Sequence, residues 1–340
     1  MQQWDSRTVE AIGREVLPCL PESIRRELAA LPPLLLAQLE EIRLRQGRPL
    51  MLVMHDRDII CSHVVSGDDM ARSLQLMSQS SVYALEEELR QGYLTLRGGH
   101  RVGFVGRALV ESGRVRTIKH IAGLNVRISR ELPGAAERVL PLLLETTAGA
   151  RSVCSTLIVG PPRAGKTTLL RDICRQLANG LPQLGLPGRK VGLVDERSEI
   201  AGCHQGVPQR DVGLRTDVLD ACPKAEGIML LIRSMSPDVV VTDELGRTED
   251  AAAVEEAASA GVAIVASVHG SGLTDLVRRP SLRRLMATGV FQRLVFLSRD
   301  AGPGTVSAVT DGAGQPIAQF QDRMSCASEV GMSAASEVAR

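Results

Sequence analysis

Gly160-Pro161-Pro162-Arg163-Ala164-Gly165-Lys166-Thr167-Thr168 decides how the rest of the chain is read. It fits the pattern G-x-x-x-x-G-K-[ST] between a short apolar run at 155–159 and a helical stretch at 167–177. Glycines at both ends let the backbone curl so that its N–H groups converge on an anion, and the helix that follows adds the positive end of its dipole. Lys166 supplies a cation for the β/γ-phosphate oxygens, and Thr167 a hydroxyl for Mg²⁺. Of the 40 basic side chains, four are lysines: Lys119, Lys166, Lys190 and Lys224. A chain that favours arginine so heavily and keeps lysine in this slot needs a compact ammonium there.

A loop of this kind predicts an acidic strand elsewhere in the same sheet. Pro237-Asp238-Val239-Val240-Val241-Thr242-Asp243-Glu244 provides it, with Asp243 suited to the Mg²⁺ shell and Glu244 to polarising an attacking water. A second acidic pair, Asp195-Glu196, closes the apolar run 190–195, which makes Glu196 another candidate for handling the water or metal. The run 262–268 ends in His269, a candidate for contact with the γ-phosphate or for linking nucleotide state to its neighbours.

Working outward, short apolar strands at 155–159, 190–195, 238–242, 262–268 and 294–297 have helical stretches such as 167–177 and 251–260 between several of them. That rhythm predicts an α/β fold with a mostly parallel sheet covered on both faces. The first 132 residues read instead as a smaller α+β domain. They hold a helix over 21–39 broken at Pro32-Pro33, strands at 41–45, 50–54 and 58–64, and a helix from Ser80 to near Arg90. A glycine-punctuated β segment at 94–106 follows, joined by a turn to 115–118. Leu132-Pro133-Gly134 marks the boundary, after which 135–144 reads as an apolar helix. The expected division is 1–132, 133–314 and a disordered tail at 315–340.

Composition narrows the function. The 340 residues are 44% hydrophobic and 23% charged with a net charge of +1, which supports a real core and lacks the basic excess of a nucleic-acid coat. Seven aromatic residues offer little for base stacking. No apolar run reaches membrane-spanning length, and the first residues lack a signal-peptide pattern, so a cytoplasmic location is expected. Seven scattered cysteines without a C-x-x-C pair read as reduced, mostly buried thiols.

The order of these motifs, with Leu231-Ile232-Arg233 ahead of Pro237-Asp238 and Ser267-Val268 ahead of His269, resembles the ATPases of type II and type IV secretion and pilus retraction. More closely, Glu41-Ile42-Arg43-Leu44-Arg45-Gln46-Gly47-Arg48-Pro49-Leu50, Gly98-Gly99-His100-Arg101-Val102-Gly103 and Val194-Asp195-Glu196-Arg197-Ser198-Glu199-Ile200-Ala201-Gly202 resemble the stage III sporulation AA family. The resemblance spans roughly residues 10 to 315. It implies a RecA/AAA-like P-loop core, ATP and Mg²⁺ as cofactors, and a hexameric ring on the mother-cell side of the forespore membrane. Its partners would be membrane-embedded sporulation channel proteins, with no stable nucleic-acid binding. Carried over, 160–168 are the Walker A site, Asp243-Glu244 the Walker B acids, Asp195-Glu196 the acidic box and His269 the histidine box. Secretion motors commonly carry Gly-Glu where this chain has Asp243-Glu244. Their trans-acting arginines come largely from the N-terminal domain, which makes Arg101, Arg107 and Arg127 candidates for completing a neighbour's site. Two other readings compete. One is a nucleic-acid translocase or helicase-like P-loop ATPase with Arg43, Arg45, Arg48 and Arg101 tracking phosphates; the other is a nucleotide-gated scaffold with little turnover.

Overall fold

The computed structural model describes residues 6–319 except 55, 79–88, 90–91, 112, 148, 301 and 303. The chain divides into two units, Met1–Arg130 with Gly202–Gln209, and Glu131–Ala201 with Arg210–Arg340.

In the first unit, strands β1 (Leu39–Arg45), β2 (Pro49–Met54), β3 (Asp58–Val64), β4 (Tyr93–Thr95), β5 (Arg101–Glu111) and β6 (Arg114–Arg127) form one antiparallel sheet in the order β3-β2-β1-β6-β5-β4. Helices α1 (Ser6–Ala11), α2 (Glu22–Ala29), α3 (Pro33–Leu36) and α4 (Gly67–Met77) accompany it. Pro32 lies between α2 and α3, and Pro33 opens α3, where its missing N–H would have had no helical partner. Ile24 and Leu28, four apart on one face of α2, pack with Ile42, Leu44, Leu52 and Val126 from the sheet. The predicted helix from Ser80 lies almost wholly outside the described residues.

The second unit is built on an eight-stranded sheet in the order β11-β10-β12-β13-β9-β14-β15-β16. Its strands are β9 (Thr156–Gly160), β10 (Val191–Asp195), β11 (Thr216–Asp220), β12 (Val239–Thr242), β13 (Ala263–His269), β14 (Arg293–Ser298), β15 (Thr305–Asp311) and β16 (Pro316–Gln319), with a separate hairpin, β7 (Leu144–Thr147) and β8 (Ala150–Val153). Pairing is parallel from β11 through β14 and antiparallel beyond. Every residue of β9, β10 and β12 is buried, the signature of strands covered on both faces. Helices α5 (Lys166–Asn179), α6 (Lys224–Met235), α7 (Thr248–Ser259), α8 (Leu273–Arg278) and α9 (Pro280–Ala287) complete the unit.

Three expectations change. Residues 135–144 form turns and a short 3₁₀ segment, Leu140–Leu143, before β7 begins. N–H groups of this stretch bond three residues back, as Glu137 to Gly134 O and Val139 to Ala136 O, and Pro141 has none to give a helix; Asp172 fastens the start of the segment by accepting from Gly134 and Ala136 N–H at 3.1 and 2.7 Å. The chain beyond Gly314 continues into β16, which pairs with β15. Finally, Gly202–Gln209 belongs to the first unit, where His204 Nδ1 meets Thr95 O at 3.0 Å and Gly98 N–H donates to Gln209 Oε1 at 3.2 Å. Cys154, Cys174 and Cys203 are buried thiols, whereas Cys19, Cys61 and Cys222 are half-buried.

Candidate active site

Because β10, β12, β13 and β9 are parallel neighbours, their carboxyl ends share one edge of the sheet. That edge brings together the end of β9 at Gly160, Asp195 at the end of β10 with Glu196 after it, Asp243-Glu244 after β12 and His269 at the end of β13. His269 pairs directly with Gly160 in the parallel register.

The loop between β9 and α5 is compact. A Cβ on Gly160 would stand 3.0 Å from the Leu297 Cβ, and Gly165 has a φ of 92°, a left-handed conformation that suits glycine at the start of α5. Pro162 and Arg163 are exposed, while Pro161, Gly165, Thr167 and Thr168 are half-buried. Lys166, at 6% exposure, donates to the carbonyls of Gly160 and Pro161, both at 2.9 Å, and reaches His269 Nδ1 at 3.1 Å. Burial lowers the Lys166 pKa, with the Glu244 charge opposing it.

His269 continues the chain, its Nε2 lying 2.6 Å from Glu244 Oε1. Arg197 approaches the other Glu244 oxygen at 3.4 Å. Glu244 has a φ of 28°, strained for a residue with a side chain, and its N–H donates to Ser267 Oγ at 3.1 Å. Asp243 is buried; Oδ1 accepts no hydrogen bond among the described residues and lies 3.4 Å from Lys224 Nζ. Burial raises the Asp243 pKa, and the Lys224 charge pulls against it.

Asp195 and Glu196 separate in role. Asp195 is fully buried and accepts from the N–H groups of Glu199, Ile200 and Ala201 at 2.9, 3.0 and 2.8 Å, which fixes the turn after β10. Glu196 instead faces Lys224, whose ammonium it accepts. Burial opposes charge on Lys224, but the hydrogen bond to Glu196 and the charge of Asp243 hold its pKa above the ordinary value.

A family model, that of sporulation stage III, protein AA, matches residues 13–317. The chain belongs to that family. The stage III sporulation protein AA of Bacillus subtilis (strain 168) is 46% identical over 312 residues, covering 92% of this chain and 99% of the relative. Among solved structures, the ATPase DotB of Yersinia pseudotuberculosis aligns with a TM-score of 0.57 at 15% identity, covering 87% of this chain and 81% of that one. The pilus retraction motor PilT with bound ADP aligns at 0.53 and 14% identity, covering 83% and 77%. At these identities the two structures establish a shared fold: mixed α/β content around a large sheet.

Within this sporulation AA chain the predicted arginines lie in the first unit. The Arg101 guanidinium stacks 4.1 Å from the Tyr93 ring centroid, and Arg127 lies 3.9 Å from Glu41. Arg107 is exposed opposite Lys119 on the β5–β6 ribbon. Arg43, part of the competing phosphate-tracking set, is bonded to Glu41 at 2.7 Å. No helix among the described residues is long and apolar enough to cross a membrane. Sequence reasoning missed Lys224, Arg197 and Ser267. The scarcity of lysine that singled out Lys166 applies equally to Lys224.

Proposed function

We propose that this chain is a Mg²⁺-dependent ATPase with a RecA/AAA-like core, acting as a hexameric ring motor beside a membrane channel made by other sporulation proteins. The chemical half is carried by one observation: Lys166 hydrogen-bonds His269, and His269 stands at ion-pair distance from Glu244, so polar contacts run from the phosphate-binding loop to an acid at a neighbouring strand end. An ammonium only donates, so His269 Nδ1 accepts from Lys166, and its Nε2 is the nitrogen that faces Glu244. Phosphate oxygens are stronger partners for an ammonium than a neutral ring nitrogen, because both sides are then charged. Arriving ATP therefore draws Lys166 away from His269, and the loosened run of contacts ends at Glu244. That carboxylate accepts the proton of the attacking water as its oxygen bonds to the γ-phosphorus and the bond to ADP breaks.

The same edge suits Mg²⁺. Thr167 presents a hydroxyl in the first turn of α5, and Asp243 has a buried oxygen without a hydrogen bond. These two residues would hold the ion, with Glu196, the other acid facing Lys224, as a further carboxylate for it; when bound it would supply charge neutralisation for the phosphates. Among the described residues no three His, Cys, Asp or Glu side chains converge into a ready cage, which fits a cation delivered with the phosphates.

The ring half rests on the fold shared with DotB and PilT and on the loop's single lysine. One or more of Arg101, Arg107 and Arg127 would complete a neighbour's site in trans; Arg107 makes no ion pair among the described residues and is the leading choice. Phosphate release from ATP and Mg²⁺, measured beside electron microscopy of the same particles, tests both halves. Chelator-sensitive turnover and six-fold rings are expected. Absent turnover removes the ATPase, and a persistent monomer with ATP removes the ring. Co-assembled Arg107→Ala and Lys166→Ala subunits should recover part of the activity each lacks alone, and no recovery in confirmed mixed rings discards Arg107.

A further inference from the structure

Lys166 and Lys224 are the buried lysines of the described residues, each 6% exposed, and both face the acidic strand ends. The phosphate-binding loop accounts for Lys166. Lys224 has no such account. Its ammonium is hydrogen-bonded to Glu196 and lies 3.4 Å from Asp243 Oδ1, so one cation bridges the acids that follow β10 and β12.

The position opposes a cation in two ways. Lys224 is the first residue of α6, where unpaired N–H groups and the positive end of the helix dipole disfavour positive charge. Removal from water adds a further cost. A side chain serving the helix alone would be acidic here, as Glu226 is in the same turn. Two converging carboxylates are what offset both costs.

We propose that Lys224 is a built-in counter-cation that offsets half the charge of Glu196 and Asp243 while no divalent ion is bound, acting as a positioning residue that reserves these acids for Mg²⁺ arriving with phosphate. The inference rests on the ATPase reading above. With the ammonium present, the two carboxylates and Lys224 carry one net negative charge; without it they carry two. Mg²⁺ needs one or two carboxylates and keeps several waters, so a bare pair accepts the free ion and a lysine-filled pair rejects it.

The test uses Mg²⁺ alone on the full-length, nucleotide-free protein, by calorimetric titration and thermal melting. Wild type should show no Mg²⁺-dependent rise in Tm. Lys224→Met, similar in length and uncharged, should bind Mg²⁺ at least about tenfold more tightly, as removal of one charge near 4 Å requires, and should be stabilised by it. An identical Mg²⁺ response in the two proteins overturns the proposal.

Breaking one side of a buried ion pair can prevent folding, so Lys224→Met/Glu196→Gln is measured in parallel. Removing both charges should restore folding and abolish the gained Mg²⁺ response. If the single variant unfolds and the double folds, the charge is what Lys224 supplies, as proposed. If neither folds, Lys224 serves packing and the proposal fails. Turnover is not the readout: absent ATPase activity with this Mg²⁺ pattern would refute the ATPase reading and leave the counter-cation standing.

Discussion

Asp69 in the first unit and Asp195 in the second are both buried aspartates that fasten local backbone, yet their surroundings drive them in opposite directions. Asp69 accepts from the Ser66 N–H at 2.8 Å and its hydroxyl at 2.8 Å, from Ser23 Oγ, and from His63 Nε2 at 2.9 Å. Burial alone would push its carboxyl up, but these donors outweigh it and hold the pKa well below the usual range. Asp195 accepts three backbone N–H groups, but burial, together with the charges of Asp243 and Asp220, pushes it up to about 6. Both carboxylates have donors; the difference lies first in burial, which is complete at Asp195, and then in the neighbouring negative charge. The first unit satisfies its buried acid completely, while the second gathers negative charge at one sheet edge, the condition that marks a site built to work on charged groups.

If that contrast reflects function, the largest effect should come from cations and acids at the edge. Lys166→Ala should weaken ATP binding and lower turnover by roughly 10³-fold or more, the scale on which one transition-state cation acts. Glu244→Gln should retain ATP while slowing hydrolysis by about 10²–10⁴-fold, since an amide cannot take the proton. Nucleotide binding and single-turnover rates separate the two. Persistent turnover in Glu244→Gln, lost instead in Glu196→Gln, would move the water-handling role to the end of β10.

A smaller effect is expected in the first unit, and of another kind. Asp69→Ala removes the carboxylate that Ser23, His63 and Ser66 share and breaks the capping box of α4. A stability loss of about 2–4 kcal/mol is expected from the unpaired groups left behind. ATP affinity should stay at the parent value. A denaturant titration beside a nucleotide-binding assay checks both, and altered affinity with unchanged stability would erase the distinction between the two regions.

What the sequence disclosed follows the range of the interactions involved. The phosphate-binding loop was legible because its chemistry is local: two glycines, a lysine and a strand-to-helix junction within nine residues. Asp243, Glu244 and His269 were legible as polar residues at the ends of apolar runs, which parallel pairing then gathers. Lys224 was not, because the acid that bonds it lies 28 residues away. Residues 135–144 misled because the apolar run was weighed above Pro141, which has no N–H to give a helix and leaves the segment in three-residue turns such as Val139 N–H to Ala136 O. Gly202–Gln209 carries no compositional sign of the unit it joins; its partner Thr95 stands 109 residues from His204.

The finest test of the contrast is its pH dependence. An acid whose folded pKa is raised binds a proton more tightly folded than unfolded, so protonation favours the native state and stability falls as pH rises between the two values. For Asp195 the interval runs from the ordinary aspartate value near 3.8 to about 6. Asp69, held low, has the opposite sign: its contribution is present above the ordinary value and is lost as pH falls through its folded pKa. Between about pH 4 and 6.5 the Asp69 contribution is therefore nearly constant, and the Asp195 contribution declines by on the order of 2 kcal/mol. Asp195→Asn should be less stable at every pH, since one amide oxygen cannot replace two carboxylate oxygens shared by three N–H donors. Its offset from wild type should shrink as pH rises through this window, because only wild type must ionise a buried acid there. Urea denaturation of both proteins in chelator-treated buffer measures the difference directly. An offset that stays flat or grows with pH would mean that Asp195 is not raised, and the acidic edge would lose its distinction from the first unit.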